Sequence, residues 1–262
     1  MSNASPRSAR GARPFALLRT AAVIGGSTLG VLAASAITAL YLMGRDHPAQ
    51  YEPRVRALEN TFRNGYPRGE VLLSGSSFFE RWITSAADLA PLRTTNIGIG
   101  GTKAGDHLAY FSRMVLPFQP AALVLYIGSN DINGLPLFTK SASHTVRLVT
   151  EYIATVRRHL PQTRIYYVAI TEAPARRRVR DQIQQANNAL ADLAASTGDF
   201  TFIDTAPQLL RPDGSIDESL FGRDRLHFNS HGYDVFATAV RAGLRPEYDR
   251  STNPTNTDKG DQ

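Results

Sequence analysis

Hydrophobic and polar positions alternate in a regular rhythm between residues 70 and 242, with short apolar runs separated by longer segments of helical spacing. The strand candidates are Glu70–Ser74, Arg93–Ile97, Ala121–Ile127, Arg164–Ile170 and Phe200–Ile203. Helical spacing marks Ser77–Ile83, Ala104–Met114, His144–His159, Val179–Ser196 and His231–Ala242. A strand followed by a helix, repeated down the chain, returns each strand by a crossover and so pairs the strands in parallel. The expected fold class is α/β, a three-layer α/β/α sandwich with a five-stranded parallel sheet over residues 70–247. Residues 44–69 read as a polar linker followed by a helix near Arg54–Asn64. Residues 248–262 are polar and aperiodic, and read as a disordered tail.

One stretch breaks the rhythm. Residues 20–43 run without a charge, and as a helix they would extend about 36 Å at ~1.5 Å per residue. That is enough for a hydrocarbon core of about 30 Å. Ala34-Ser35-Ala36 offers a signal-peptide cleavage site, but the apolar run continues through Leu40, Tyr41, Leu42 and Met43. A retained N-terminal transmembrane helix is therefore the expectation, with a cleaved signal as the alternative. Arg7, Arg10, Arg13 and Arg19 precede it without an acid. This places residues 1–19 as a basic arm in the cytoplasm and the body on the extracytoplasmic side. If the segment is cleaved instead, the body is secreted or periplasmic.

Charge changes the picture of partners. The net charge is +6, but five of the 29 basic residues, Arg45 included, lie in positions 1–45. The remaining 24 bases face 23 acids, which leaves the body at +1. A near-neutral body lacks the basic surface that phosphate binding needs, so no nucleic-acid partner is expected. With 42% hydrophobic and 20% charged residues the chain can bury one core. It contains no cysteine, which excludes disulfides, thiolate nucleophiles and thiolate metal sites.

In open parallel sheets ligands bind beyond the carboxyl ends of the strands, so the informative residues should follow the strand runs. The first such loop is Gly75-Ser76-Ser77, two hydroxyls at a strand-to-helix turn, which alone reads as an N-cap pair. The second is Gly98-Ile99-Gly100-Gly101-Thr102-Lys103, where glycine allows close backbone approach. It is not a dinucleotide fingerprint, because lysine stands at position 103 where that motif requires glycine. The third is Gly128-Ser129-Asn130-Asp131, with an amide donor at a strand end. Late in the chain comes Asp224-Arg225-Leu226-His227, a carboxylate three residues from an imidazole and able to orient it as a base. No histidine and carboxylate spacing suggests a metal, and no cofactor is expected. Together the loops supply a hydroxyl nucleophile, oxyanion donors and an oriented base at one sheet edge.

In these motifs, taken in order from about Val71 to Ala242, the sequence resembles the SGNH/GDSL hydrolase superfamily. Its Gly-Ser-Ser start and Trp82 are similar to a bacterial branch near the platelet-activating-factor acetylhydrolase group. The resemblance implies a flavodoxin-like sandwich with Ser77 as nucleophile, His227 as base and Asp224 as its orienting acid. It implies an oxyanion hole from the Ser77 and Gly101 N–H groups and the Asn130 side chain. The family's aspartate after the first glycine is Ser76 here, and a register one residue earlier would make Ser76 the nucleophile. The implied activity is a serine esterase or acylhydrolase acting on a small-molecule acyl ester. Removal of acetyl groups from envelope glycans, or a catalytically silent tethered binding module, are the alternatives. Three further features read as structural: Arg176–Arg178 with Arg180 as a solvated helix start rather than a hold on an acidic substrate, Phe78, Phe79 and Trp82 as core, and Lys103 as a solvent residue.

Overall fold

Five strands form one parallel sheet in the order β2-β1-β3-β4-β5. They are β1 (Val71–Gly75), β2 (Thr94–Asn96), β3 (Ala122–Tyr126), β4 (Arg164–Val168) and β5 (Thr201–Ile203). This computed structural model describes residues 47–252 and, ahead of them, only Ser35 and Thr38. The basic arm, the span at 20–43 apart from those two residues, and residues 253–262 lie outside the described residues. Among the described residues no helix is long and apolar enough to cross a membrane.

Strands β1, β3 and β4 are almost continuously apolar because both faces of the sheet are covered. Successive side chains point to opposite faces. Leu72, Leu123, Leu125, Ile165 and Tyr167 therefore enter one core cluster, and Val71, Leu73, Val124, Tyr126, Tyr166 and Val168 the other. The first cluster is closed by helices α1 (Glu52–Thr61), α4 (Ala104–Met114), α5 (Ala142–His159) and α6 (Arg180–Thr197), through Val55, Phe111, Val149 and Leu190. The second is closed by α2 (Ser77–Glu80) through Phe78 and Phe79 and by α8 (Ser230–Gly243) through Phe236 and Val240. Two single turns, α3 (Ser85–Asp88) and α7 (Ala206–Leu209), and the final helix α9 (Arg245–Thr252) complete the sandwich. The chain reverses its direction of winding between β1 and β3, the switch point where such sheets open a crevice.

Three expectations about boundaries change. The helix expected over Ser77–Ile83 stops at Glu80. The Asn96 amide donates to the carbonyls of Phe79 (2.7 Å) and Trp82 (3.3 Å), which a continuing helix would need for itself. The stretch taken as a polar linker is folded onto the body from Pro48. Tyr110 donates to the Pro48 carbonyl at 3.0 Å, and Arg113 grips both Glu52 and Glu59 at 2.7 Å. Helix α9 runs into the expected tail because Glu247, 5% exposed, accepts from Tyr166 (2.6 Å) and Arg164 (2.7 Å) on β4. Two clefts of about 370 and 390 Å³ open at the amino ends of the strands. They share no residue with the serine, histidine and glycine loops at the carboxyl ends.

Candidate active site

The loop leaving β1 sets the two serines in different surroundings. Ser76 caps α2 and is 1% exposed, and its hydroxyl has no hydrogen-bond partner among the described residues. Ser77 opens the helix and is half-buried. The peptide N–H groups of a helix's first turn lack intrahelical acceptors, and that of Ser77 finds none among the described residues.

A turn between the short 3-10 segment Glu218–Leu220 and α8 brings the acid and the imidazole to Ser77. Asp224 Oδ1 accepts the backbone N–H groups of Leu226 and His227, each at 3.0 Å, and Arg225, between Asp224 and Leu226, takes a left-handed φ of 56°. Asp224 Oδ2 accepts from His227 Nδ1 at 2.7 Å and from Arg81 at 3.2 Å. His227 Nε2 lies 2.8 Å from Ser77 Oγ, across 150 positions of sequence. Burial pushes the Asp224 carboxyl up, but the His227 side chain and the two turn N–H groups outweigh it and hold it well below the usual range. The carboxylate is therefore an acceptor only, so His227 Nδ1 carries the proton and Nε2 is free to accept the serine proton. The His227 ring is buried against Phe78, with ring centroids 5.4 Å apart.

The glycine loop fits against α2 with little room to spare. A Cβ at Gly98 would meet the Glu80 nitrogen at 2.4 Å, and one at Gly100 would lie 3.5 Å from Ser77 Cβ. Gly101 adopts a φ of 86°, which glycine alone adopts without strain. Its N–H, like that of Ser77, has no acceptor among the described residues. Asn130 reaches the same loop from the end of β3, donating Nδ2 to the Thr102 carbonyl at 3.0 Å. So the structure brings Ser77, His227 and Asp224 into one hydrogen-bonded line, with Gly101 and Asn130 beside it through Gly100 and Thr102.

Behind this edge lies a polar layer that the sequence did not announce. Thr102 Oγ1 donates to the Ile99 carbonyl at 2.7 Å, so it can only accept from His107 Nε2, at 2.9 Å. His107 is 2% exposed, and burial pushes its pKa down from 6.5 to about 4. Its Nδ1 faces Ser74 Oγ at 3.4 Å. Asn96 fixes the loop from the other side, accepting the Gly98 N–H at 3.0 Å. Polar residues at strand ends were the only hint of these roles. Lys103, expected in solvent, is instead 4% exposed: it is the N-cap of α4, and its peptide N–H donates to Asp106 at 2.9 Å, which fixes the residue at the start of a helix packed into the body. Phe78, Phe79 and Trp82 are core, each at most 1% exposed. Among the described residues no group of three His, Cys, Asp or Glu side chains is set to hold a metal ion.

Residues 64–235, about two-thirds of the chain, match the GDSL-like lipase/acylhydrolase family, and the chain belongs to it. Family membership makes it a hydrolase of the lipase and esterase kind. Solved structures share the fold at low identity. One named for a platelet activating factor from Streptococcus pneumonia superposes with a TM-score of 0.66 at 19% identity, covering 80% of this chain and 99% of that one. A GDSL-like lipase from Bacteroides thetaiotaomicron gives 0.58 at 18%, covering 77% and 98%. An acetylxylan esterase from Geobacillus stearothermophilus gives 0.57 at 18%, covering 68% and 94%. No curated relative matches the chain.

Proposed function

We propose that this protein is a serine esterase that cleaves small acyl esters through Ser77, His227 and Asp224. The observation that carries the reading is the continuous line from Asp224 Oδ2 to His227 Nδ1 (2.7 Å) and from Nε2 to Ser77 Oγ (2.8 Å). In the first half-reaction the Ser77 oxygen attacks the ester carbonyl as its proton passes to His227 Nε2. Negative charge then develops on the carbonyl oxygen, where the Ser77 and Gly101 N–H groups and the second Asn130 N–H are the free donors. Collapse of the tetrahedral intermediate expels the alcohol, which takes the proton from Nε2 and leaves an acyl group on Ser77. Water, giving its proton to the same nitrogen, hydrolyses that ester and restores the serine. Asp224 stays ionised throughout and keeps the ring in the working tautomer.

The uncharged run at 20–43 behind a basic arm supports a second part of the proposal, that the body works outside the cytoplasm, tethered to the membrane. The test of the chemistry is covalent labelling of the full-length chain with a fluorophosphonate, alongside hydrolysis of nitrophenyl acetate. The label should fall on Ser77. Ser77→Ala and His227→Ala should abolish turnover, whereas Ser76→Ala should keep both label and activity, since its hydroxyl is buried without a partner. Labelling that survives Ser77→Ala and disappears in Ser76→Ala overturns the assignment, and folded protein that takes no label favours a silent binding module. O-acetylated oligosaccharides in the same assay separate glycan deacetylation from hydrolysis of simple esters.

A further inference from the structure

The arginine run after β4 does not face solvent as a unit. Arg177 pairs with Glu218 and Arg180 with Glu172. Arg176 turns inward and is 7% exposed, in the short helical turn Pro174–Val179. One guanidinium nitrogen, Nη1, donates to the Ser129 carbonyl and, at 2.9 Å, to the Ile132 carbonyl. The other, Nη2, donates to Asn130 Oδ1 at 3.1 Å. The same turn touches the opposite side of the site, where the Ala175 N–H donates to the Arg225 carbonyl at 2.8 Å, within the Asp224–His227 turn.

These contacts bear on one chemical question, which end of the Asn130 amide faces the developing oxyanion. A nitrogen there donates, whereas an oxygen there would repel the charge. The two partners of the amide each have a single polarity. A guanidinium has donors only and a backbone carbonyl is an acceptor only. With Arg176 on Oδ1 and the Thr102 carbonyl on Nδ2, a flipped amide would face two mismatched contacts at once. One N–H of Nδ2 serves Thr102, and the other has no acceptor among the described residues. An apolar side chain would fill the Arg176 site without the cost of burying a cation. What the guanidinium adds is a fork of donors spanning the Ser129–Ile132 loop and the amide it carries.

We propose that Arg176 is a positioning residue for the oxyanion hole, holding the Asn130 amide with its nitrogen toward the reacting carbonyl. The inference rests on the esterase reading above, and acts through Asn130 rather than on substrate. It therefore belongs to the transition state: loss of Arg176 should lower kcat and leave KM for a nitrophenyl ester nearly unchanged.

The test is a double-mutant cycle on the full-length protein, using Arg176→Met, Asn130→Ala and the pair, with kcat, KM and the rate of fluorophosphonate labelling as readouts. Removing an oxyanion donor typically costs about 10²–10³ in turnover, which is the loss expected of Asn130→Ala. Arg176→Met should cost roughly 10–100-fold alone and less than about threefold in the Asn130→Ala background, because a residue that acts through another is silent once that other is gone. Arg176→Lys, which keeps a donors-only cation, should recover part of the loss, and it carries the test if the methionine variant does not fold. Equal fold-losses for Arg176→Met, or Arg176→Lys in its place, in the two backgrounds overturn the proposal, as does a loss expressed wholly in KM. If Asn130→Ala slows turnover as expected and Arg176→Met does not, this inference alone fails. If Asn130→Ala changes nothing and Ser77 takes no label, the esterase reading fails with it.

Discussion

Lowering the pH from 8 to 5 should weaken this fold by about 2 kcal/mol through one side chain, His107. The ring is neutral because it is buried, and its proton is committed to Thr102. Burial lowers its pKa from 6.5 to about 4. The sign follows from where protons bind. Between these two values the unfolded chain takes up a proton that the folded one refuses, so stability is fully present above pH 6.5 and falls as pH drops toward 4. A gap of about 2.5 units at ~1.4 kcal/mol per unit gives a total of about 3.4 kcal/mol, of which roughly 2 kcal/mol is lost by pH 5. The assay is urea unfolding of the full-length protein and of His107→Gln at pH 8 and pH 5, followed by intrinsic fluorescence. Glutamine offers Thr102 a donor and does not titrate, while every other carboxylate and histidine titrates equally in both proteins. The difference between the two losses isolates His107. Wild-type protein should lose about 2 kcal/mol more than the variant. Equal losses in the two proteins would mean that the ring is already charged or not buried, and the reasoning would be wrong.

Other substitutions probe the site and its frame. Asp224→Asn keeps an oxygen for the turn N–H groups but presents a donor to His227 Nδ1, which forces the proton onto Nε2. Hydrolysis of nitrophenyl acetate should fall by about 10³–10⁴ with the thermal midpoint little changed. Gly98→Ala places a carbon 2.4 Å from the Glu80 nitrogen, a backbone atom that cannot swing away. The glycine loop should be pushed off α2, lowering the unfolding free energy in urea by about 1–3 kcal/mol and slowing labelling of Ser77. Glu247→Ala leaves Arg164 and Tyr166 without their buried acceptor. It should cost about 1–3 kcal/mol in the same unfolding assay, with kcat unaffected, because Glu247 sits at the amino ends of the strands and Ser77 beyond their carboxyl ends.

Much of this arrangement was legible in the chain itself. Strand runs such as Ala121–Ile127 and the period of Ala104–Met114 are local signals, set by which side chains can face a core, and the elements formed where the pattern put them. The turn from Asp224 to His227 was likewise local, since three residues separate an acid from the imidazole it binds. Ser77 and His227 were named from loop chemistry and family resemblance, yet their 2.8 Å contact exists only because β1 and the turn before α8 end on one edge. The helix near Arg54–Asn64 formed as α1, but the short α2, the docking of residues 48–53 and α9 escaped the pattern, because their decisive partners, Asn96, Tyr110 with Arg113, and Arg164 with Tyr166 on β4, lie far away in sequence.

Arg176 marks the division most clearly. In the sequence it is one of several arginines at a helix start, indistinguishable from Arg177 and Arg178. In the structure its neighbours point to carboxylates or solvent while it alone is buried against the Asn130 loop. Hydrophobic periodicity and turn chemistry are properties of neighbouring residues, so the sequence by itself determined the layers, the strands that make up the sheet and the candidates for the reacting groups. The orientation of the Asn130 amide and the tautomer of the buried His107 ring depend on hydrogen bonds among loops and helices that the sheet gathers at one end, and those only the tertiary structure decided.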